Sequence, residues 1–238
     1  MCIIVQVAVE NLVASEAMVV NVQQTGFYRV NYDDNNWSLI ASRLATDPAS
    51  VHRVNRAQLL DDAFNLARAG QLDYTIPLSL TEYLAHEDDY IPWSTTFRAL
   101  GYINSMIYRS AGYGDYRAYL LKILEPLYQK LGFWQKREDG FMDGKLRGLM
   151  VGNLLLMGHR EVTRTSMELV EEWMITSVNR VPAAFRYLLL QPHIGRIGQM
   201  GQMTTLQLQV KCLLYCGEGR GTHNLGLLLV SISQLQQR

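Results

Sequence analysis

The sequence predicts a mainly α-helical protein of antiparallel helix pairs, preceded by a short N-terminal β segment. Three observations predict it. Apolar residues recur at helical spacing in successive stretches of roughly ten to twenty residues between Trp37 and Met174. Short runs carrying Gly, Pro, Asn or Asp, which cap or break helices, separate these stretches. β-Branched, partly alternating runs precede Asp34.

In chain order, Ile4–Val9 and Met18–Val22 read as strands, Gln24-Thr25-Gly26 as a turn, and Phe27, Val30 and Tyr32 as a third extended run. Asp33-Asp34-Asn35-Asn36 supplies caps for a helix whose face carries Trp37, Ile40 and Leu44, and Asp47-Pro48 stops it. Asn55 to Gly70 reads as one complete helix. Asn55 is placed as its N-cap, and Leu59, Ala63, Leu66 and Ala67 form a stripe that Leu60 and Phe64 widen toward a second neighbour. Arg68 suits the dipole of the last turn, and Gly70 suits a left-handed cap. Pro77 to His86 carries Leu80, Tyr83 and Leu84. Pro92 opens a helix bearing Trp93, Phe97, Leu100, Ile103 and Ile107, broken at Gly112-Tyr113-Gly114. Tyr116, Leu120, Ile123 or Leu124, Leu127 and Leu131 mark the next, with a kink expected at Pro126. Leu146–Met157 and Val162–Met174 follow, separated by Gly158-His159.

At 238 residues the chain can bury a real core. A hydrophobic content of 48%, 18% charged residues and zero net charge fit an ordinary soluble chain and point away from nucleic-acid or membrane-surface binding. No apolar run approaches a membrane span. Met1–Glu10 is signal-like only superficially: it lacks a positive n-region, and Gln6 interrupts it. Cys2, Cys212 and Cys216 are too few for a disulfide framework. After Glu172 the only acidic residue is Glu218, and Gln and Gly dominate, as in Gly195–Met203. Mixed charge normally solvates a surface helix, so residues 187–238 read as a divergent, low-charge tail, such as an out-of-frame or differently spliced reading.

Three runs carry a resemblance: Gly26-Phe27-Tyr28-Arg29-Val30-Asn31-Tyr32-Asp33, Asn55 through Gly70, and Glu87-Asp88-Asp89-Tyr90-Ile91-Pro92-Trp93. In order and spacing they resemble the helical C-terminal domain of the aminopeptidase N family of zinc peptidases, across Val19 to Phe185. The resemblance implies helix pairs stacked as a right-handed solenoid, like irregular HEAT or armadillo repeats, although no clean repeat period is visible. It divides the chain into 1–34, the end of a β-sandwich; 35–186, the helical solenoid; and 187–238, the tail. Parent enzymes of this family use zinc to remove N-terminal residues from peptides, and their helical domain is a bowl over the zinc-bearing domain. The chain is therefore expected to be a fragment. Its implied partners are the parent enzyme's peptide substrates, the missing catalytic zinc domain and a second copy in a homo-oligomer. Resemblance places it outside the cell, secreted or surface-anchored, though cytosolic relatives exist. Leu225–Ile232 is too short for a lipid-anchor tail.

The family's chemistry needs His-Glu-x-x-His on a helix, which sets two imidazoles on one zinc beside a general-base carboxylate. His86-Glu87-Asp88-Asp89-Tyr90 imitates its start, but Tyr90 stands where the second His belongs. His52, His159, His193 and His223 lack partners at that spacing and read as surface or loop residues. Cys212, Cys216 and His223 are one ligand short of a closed zinc site, and Cys2 is remote. Gly217-Glu218-Gly219-Arg220-Gly221 fails as a dinucleotide loop because Thr222 occupies the third glycine position. Asp61 and Asp62, adjacent on a helix, point about a hundred degrees apart, so they read as ion-pair partners of Arg56 or another helix's base rather than an acid–base pair. Tyr102, Tyr108, Tyr113, Tyr116, Tyr119 and Tyr128 read as packing residues rather than the lining of a peptide-binding concavity. The sequence thus assigns no catalytic, cofactor-binding or metal-ligating residue; zinc belongs to the parent enzyme. The contrasting expectation is a stand-alone helical-repeat module that binds a peptide or protein.

Overall fold

Helices account for nearly all regular structure in this computed structural model, which describes residues 15–178 and 180–182. The chain divides into two units, Met1–Met157 and Gly158–Arg238. Among the described residues the first unit holds α1 (Asp34–Thr46), α2 (Arg53–Arg68), α3 (Thr75–Leu80), α4 (Tyr90–Ile107), α5 (Tyr113–Leu131) and α6 (Phe141–Leu156), with 3-10 turns at Val22–Gln24, Pro48–Ser50 and Thr81–His86. The second unit holds α7 (Arg160–Thr176).

The expected strands at Met18–Val22 and Phe27–Tyr32 do not form, and no strand occurs among the described residues. Helix side chains take the hydrogen bonds a ladder would have supplied. Asn36 of α1 accepts from Met18 N at 2.8 Å and donates to Met18 O at 2.9 Å. Val20 N donates to the Tyr32 hydroxyl, and Gln58 of α2 donates to Val20 O. The turn at Gln24–Gly26 does form, tied by Asn21, whose Oδ1 accepts from Gly26 N at 2.7 Å. Ile4–Val9, and the whole of 187–238, lie outside the described residues.

The apolar stripes become the core. Trp37, Ile40 and Leu44 of α1 are buried, as are Leu59, Leu60, Ala63, Phe64, Leu66 and Ala67 of α2. Asp33 caps α1 by accepting from Asn36 N at 2.7 Å. At the end of α2, Gly70 takes φ +71° and Gln71 N bonds back to Leu66 O, a Schellman-type closure. The start of α2 differs from expectation. His52 is the N-cap, accepting from Val54 N, while Asn55 lies inside the helix and is buried. The predicted Pro77–His86 helix is α3 followed by a 3-10 turn. It starts earlier because Asp73 accepts from Thr75 N at 2.8 Å. Asp89, accepting from Ile91 N, starts α4 with Pro92 in its first turn. Gly112 is the N-cap of α5, so Gly114 belongs to that helix rather than to the break. Pro126 sits inside an unbroken α5. Asp143 reaches back to Gly140 N at 2.7 Å and starts α6 ahead of the expected Leu146.

Helices α5 and α6 cap each other. Arg117 of α5 donates to Met157 O at 2.9 and 2.6 Å, and Arg147 of α6 donates to Leu131 O at 3.4 and 3.2 Å. Each cation meets carbonyls that a helix C-terminus leaves unpaired, which fixes the pair antiparallel. Leu124 of α5 has no exposed surface. Leu124→Ala is expected to cost about 2–5 kcal/mol, read as a lower urea midpoint with an unchanged denaturant slope.

Candidate functional site

The three runs that carry the family resemblance converge in space on α2. From the first run, the Arg29 guanidinium reaches Asp61 at 2.6 Å and Asp62 at 3.0 Å, while Val30 N donates to Asp62 at 3.1 Å. The pair does not bind Arg56, as the sequence suggested. Although adjacent on the helix, both carboxylates converge on one nitrogen, Nη1, because the long arginine reaches in from outside the helix. Arg56 instead grips Glu87 of the third run, Nε to Oε2 at 2.6 Å and Nη2 to Oε1 at 2.9 Å. The same guanidinium donates to Pro48 O and Val51 O. Glu87 also accepts from Asp88 N and Asp89 N, and its carbonyl accepts the Trp93 indole N–H at 3.0 Å. Asn55 accepts from Gln23 N and donates to Gln58.

These groups hold charge in a partly dry setting. Burial raises Asp62 above the usual carboxylate value, against the Val30 N–H and Arg29, which lower it. Burial lowers Arg29, but the hydrogen bond and charge of Asp61, with Asp62, raise it overall. Arg56 behaves alike: burial opposes its charge, and Glu87 overrides it. Burial pushes the Tyr83 phenol well above its ordinary value, and the nearby Glu87 charge adds to this.

None of this fits a zinc centre. Among the described residues no group of three or more His, Cys, Asp or Glu side chains is placed to hold a metal. Glu87 is committed to Arg56, and Tyr90 is the first residue of α4. His52 and His159 each cap a helix through a side-chain nitrogen, α2 and α7 respectively. His193, His223, Cys2, Cys212 and Cys216 lie outside the described residues, as does the glycine run 217–221. The tyrosines mostly pack: Tyr116 donates to Leu100 O, Tyr119 bonds Thr81 at 2.5 Å, Tyr128 is buried and Tyr113 stacks on Tyr116. Tyr108 is exposed.

Sequence reasoning named Arg29 only within a run, without a partner, and passed over Arg117 and Arg147. The Arg147 guanidinium lies 2.6 Å from Asp139, which its hydrogen bond and charge hold below the usual carboxylate value. An arginine within an apolar stripe is the only cue such a residue gives, and it names no partner.

Glu87→Ala removes the carboxylate partner of the part-buried Arg56, which keeps its bonds to Pro48 O and Val51 O, and is expected to cost about 1.5–3 kcal/mol in chemical denaturation. Glu87→Gln, which keeps an acceptor, should lose less. Because the folded state raises Asp62, its proton is held more tightly there than in the unfolded chain. Its contribution is therefore fullest below the ordinary carboxylate value of 3.8 and falls as pH rises through the folded value. Asp62→Asn should flatten that decline in a stability-versus-pH series. Asp139 has the opposite sign: its contribution is full above 3.8 and lost as pH falls through its lowered folded value, so Asp139→Asn should flatten the acid limb.

Comparison with known proteins agrees with this scaffold. Residues 17–203 match the family described as the ERAP1-like C-terminal domain. Aminopeptidase N of Plutella xylostella is 40% identical over 167 residues, 70% of this chain and 18% of that protein. Rat aminopeptidase N is 36% identical over 170 residues, again 70% of this chain and 18% of that protein. The rat thyrotropin-releasing hormone-degrading ectoenzyme is 34% identical over 172 residues, 70% of this chain and 16% of that protein. The chain thus spans less than a fifth of the length of these curated relatives. By its motifs, its helices and the extent of the match, the chain belongs to the ERAP1-like C-terminal domain family, the C-terminal domain of aminopeptidase N-like proteins.

Proposed function

We propose that this chain is the C-terminal, chamber-forming part of a zinc metalloaminopeptidase that removes N-terminal residues from peptides, and that it is inactive alone. One observation carries the reading. The resemblance-bearing side chains Arg29, Arg56, Asp61, Asp62 and Glu87 are all engaged in binding one another around α2, which is the chemistry of a wall. The antiparallel α5–α6 pair supports helix-pair packing, and the right-handed solenoid is the arrangement that the family resemblance implies. In this reading residues 1–34 lead in from a β-sandwich, 35–186 form the chamber and 187–238 are a divergent tail. The partners are peptide substrates and a catalytic domain that brings the zinc. The extracellular face of the membrane is the site of action, in keeping with relatives named as an ectoenzyme; no helix among the described residues is long and apolar enough to cross a membrane.

The alternative, a stand-alone helical-repeat module that binds a peptide or protein without catalysis, predicts a well-covered surface. Val22, Phe27 and Tyr28 are instead each exposed on the segment before α1, which favours a wall that docks on another domain. Purified chain should self-associate or require a partner, whereas a stand-alone module would sediment as a monomer and melt in one cooperative step. With aminoacyl-p-nitroanilide substrates and added zinc, it should release no chelator-sensitive nitroaniline above the blank. Measurable release would overturn the reading.

A further inference from the structure

A hollow of about 240 Å³ opens between the C-terminal half of α2 and α4, beside Tyr74. Three arginines line it: Arg29, Arg68 and Arg98. Arg29 is neutralised by Asp61 and Asp62. The other two are not, since among the described residues neither Arg68 nor Arg98 forms an ion pair. Arg68 lies over the Tyr102 ring, 4.1 Å from its centroid, and Arg98 stands one turn before Tyr102 on α4. Asp61 also lines the hollow, and its oxygens are bound to Arg29 at 2.6 Å and to the Asn65 amide at 3.2 Å rather than to either of these arginines. Three guanidinium groups thus stand against two carboxylates, both of them on Arg29, and the net positive charge of the hollow falls on the Arg68–Arg98 side.

We propose that this hollow binds a small oxyanion-bearing ligand, a phosphate or a carboxylate, gripped by Arg68 and Arg98. A guanidinium presents a planar fork of N–H donors that matches an oxyanion with two parallel hydrogen bonds. Its place over the Tyr102 ring restrains Arg68 before a ligand arrives, so less side-chain entropy is lost on binding. The volume suits an anionic group carrying a few carbons and excludes a helix or a folded partner. The site uses residues of the wall alone and stands apart from the proposed enzymatic context.

The test is isothermal titration of the full chain with inorganic phosphate and, separately, with citrate, at constant ionic strength set by chloride. Saturable binding of one or both is expected, and whichever binds tighter assigns the source as phosphate or carboxylate. Arg68→Gln and Arg98→Gln should each weaken it about tenfold or more, the worth of a charge-assisted hydrogen bond. Arg98→Lys should fall between, and Arg137→Gln, an exposed arginine outside the hollow, should leave binding unchanged. Far-UV circular dichroism shows that the variants fold; Arg68 and Arg98 are exposed, so their replacement opens no core. No saturable binding of either anion, or binding that both glutamine variants retain in full, would overturn the proposal.

Discussion

The part-buried ion pair between Arg56 and Glu87 is the constraint on which the first unit depends. Helix α2 is covered on several sides, so a charge on it loses water and must find a partner with good geometry. Arg56 solves this with two short bonds to one carboxylate and two more to backbone carbonyls at Pro48 and Val51. One guanidinium thereby ties the α1–α2 connection, α2 and the start of α4 into a single block. Its worth lies in fixing one arrangement, since an apolar pair of equal volume could match it in stability.

The segment before α1 shows how a strand-like sequence can be kept out of a sheet. Its backbone groups need partners, and the nearest offered are amide and hydroxyl side chains of α1, α2 and Tyr32. Once Asn36 and Gln58 have satisfied Met18 and Val20, β-branched residues gain nothing further from a ladder. The same economy appears at α5 and α6, where Arg117 and Arg147 meet carbonyls that would otherwise face a dry interior. Polar side chains with long reach therefore set the geometry of contacts that the apolar stripes merely make favourable.

The family wording and this scaffold describe one object. Arg29, Asp61, Asp62, Arg56, Glu87 and Trp93 sit in three runs far apart in the chain, yet they form a continuous set of contacts about α2. A motif made of such residues marks a way of assembling helices. Its charged groups are bound to one another, which makes it a device of assembly.

Much of the helical layout was legible in the sequence because its causes are local. The stripe Trp37–Ile40–Leu44, the Asp33 cap, the left-handed Gly70 and Pro92 in a first turn each depend on neighbours within a turn or two. The failure at Asn55 is instructive: its side chain suits a cap, but His52 stands three residues earlier and Gln23 and Gln58 claim the asparagine. Partner choice among Arg29, Arg56, Arg117 and Arg147 was decided only when distant segments met, because a long side chain can satisfy any acceptor in range and spacing along the chain says nothing about which. The sequence by itself determined where helices run and which faces they bury, since both follow from periodicity and capping. Tertiary structure alone decided which charges are paired and which segment stays out of a sheet, because desolvation and long-range hydrogen bonding exist only once the chain has packed.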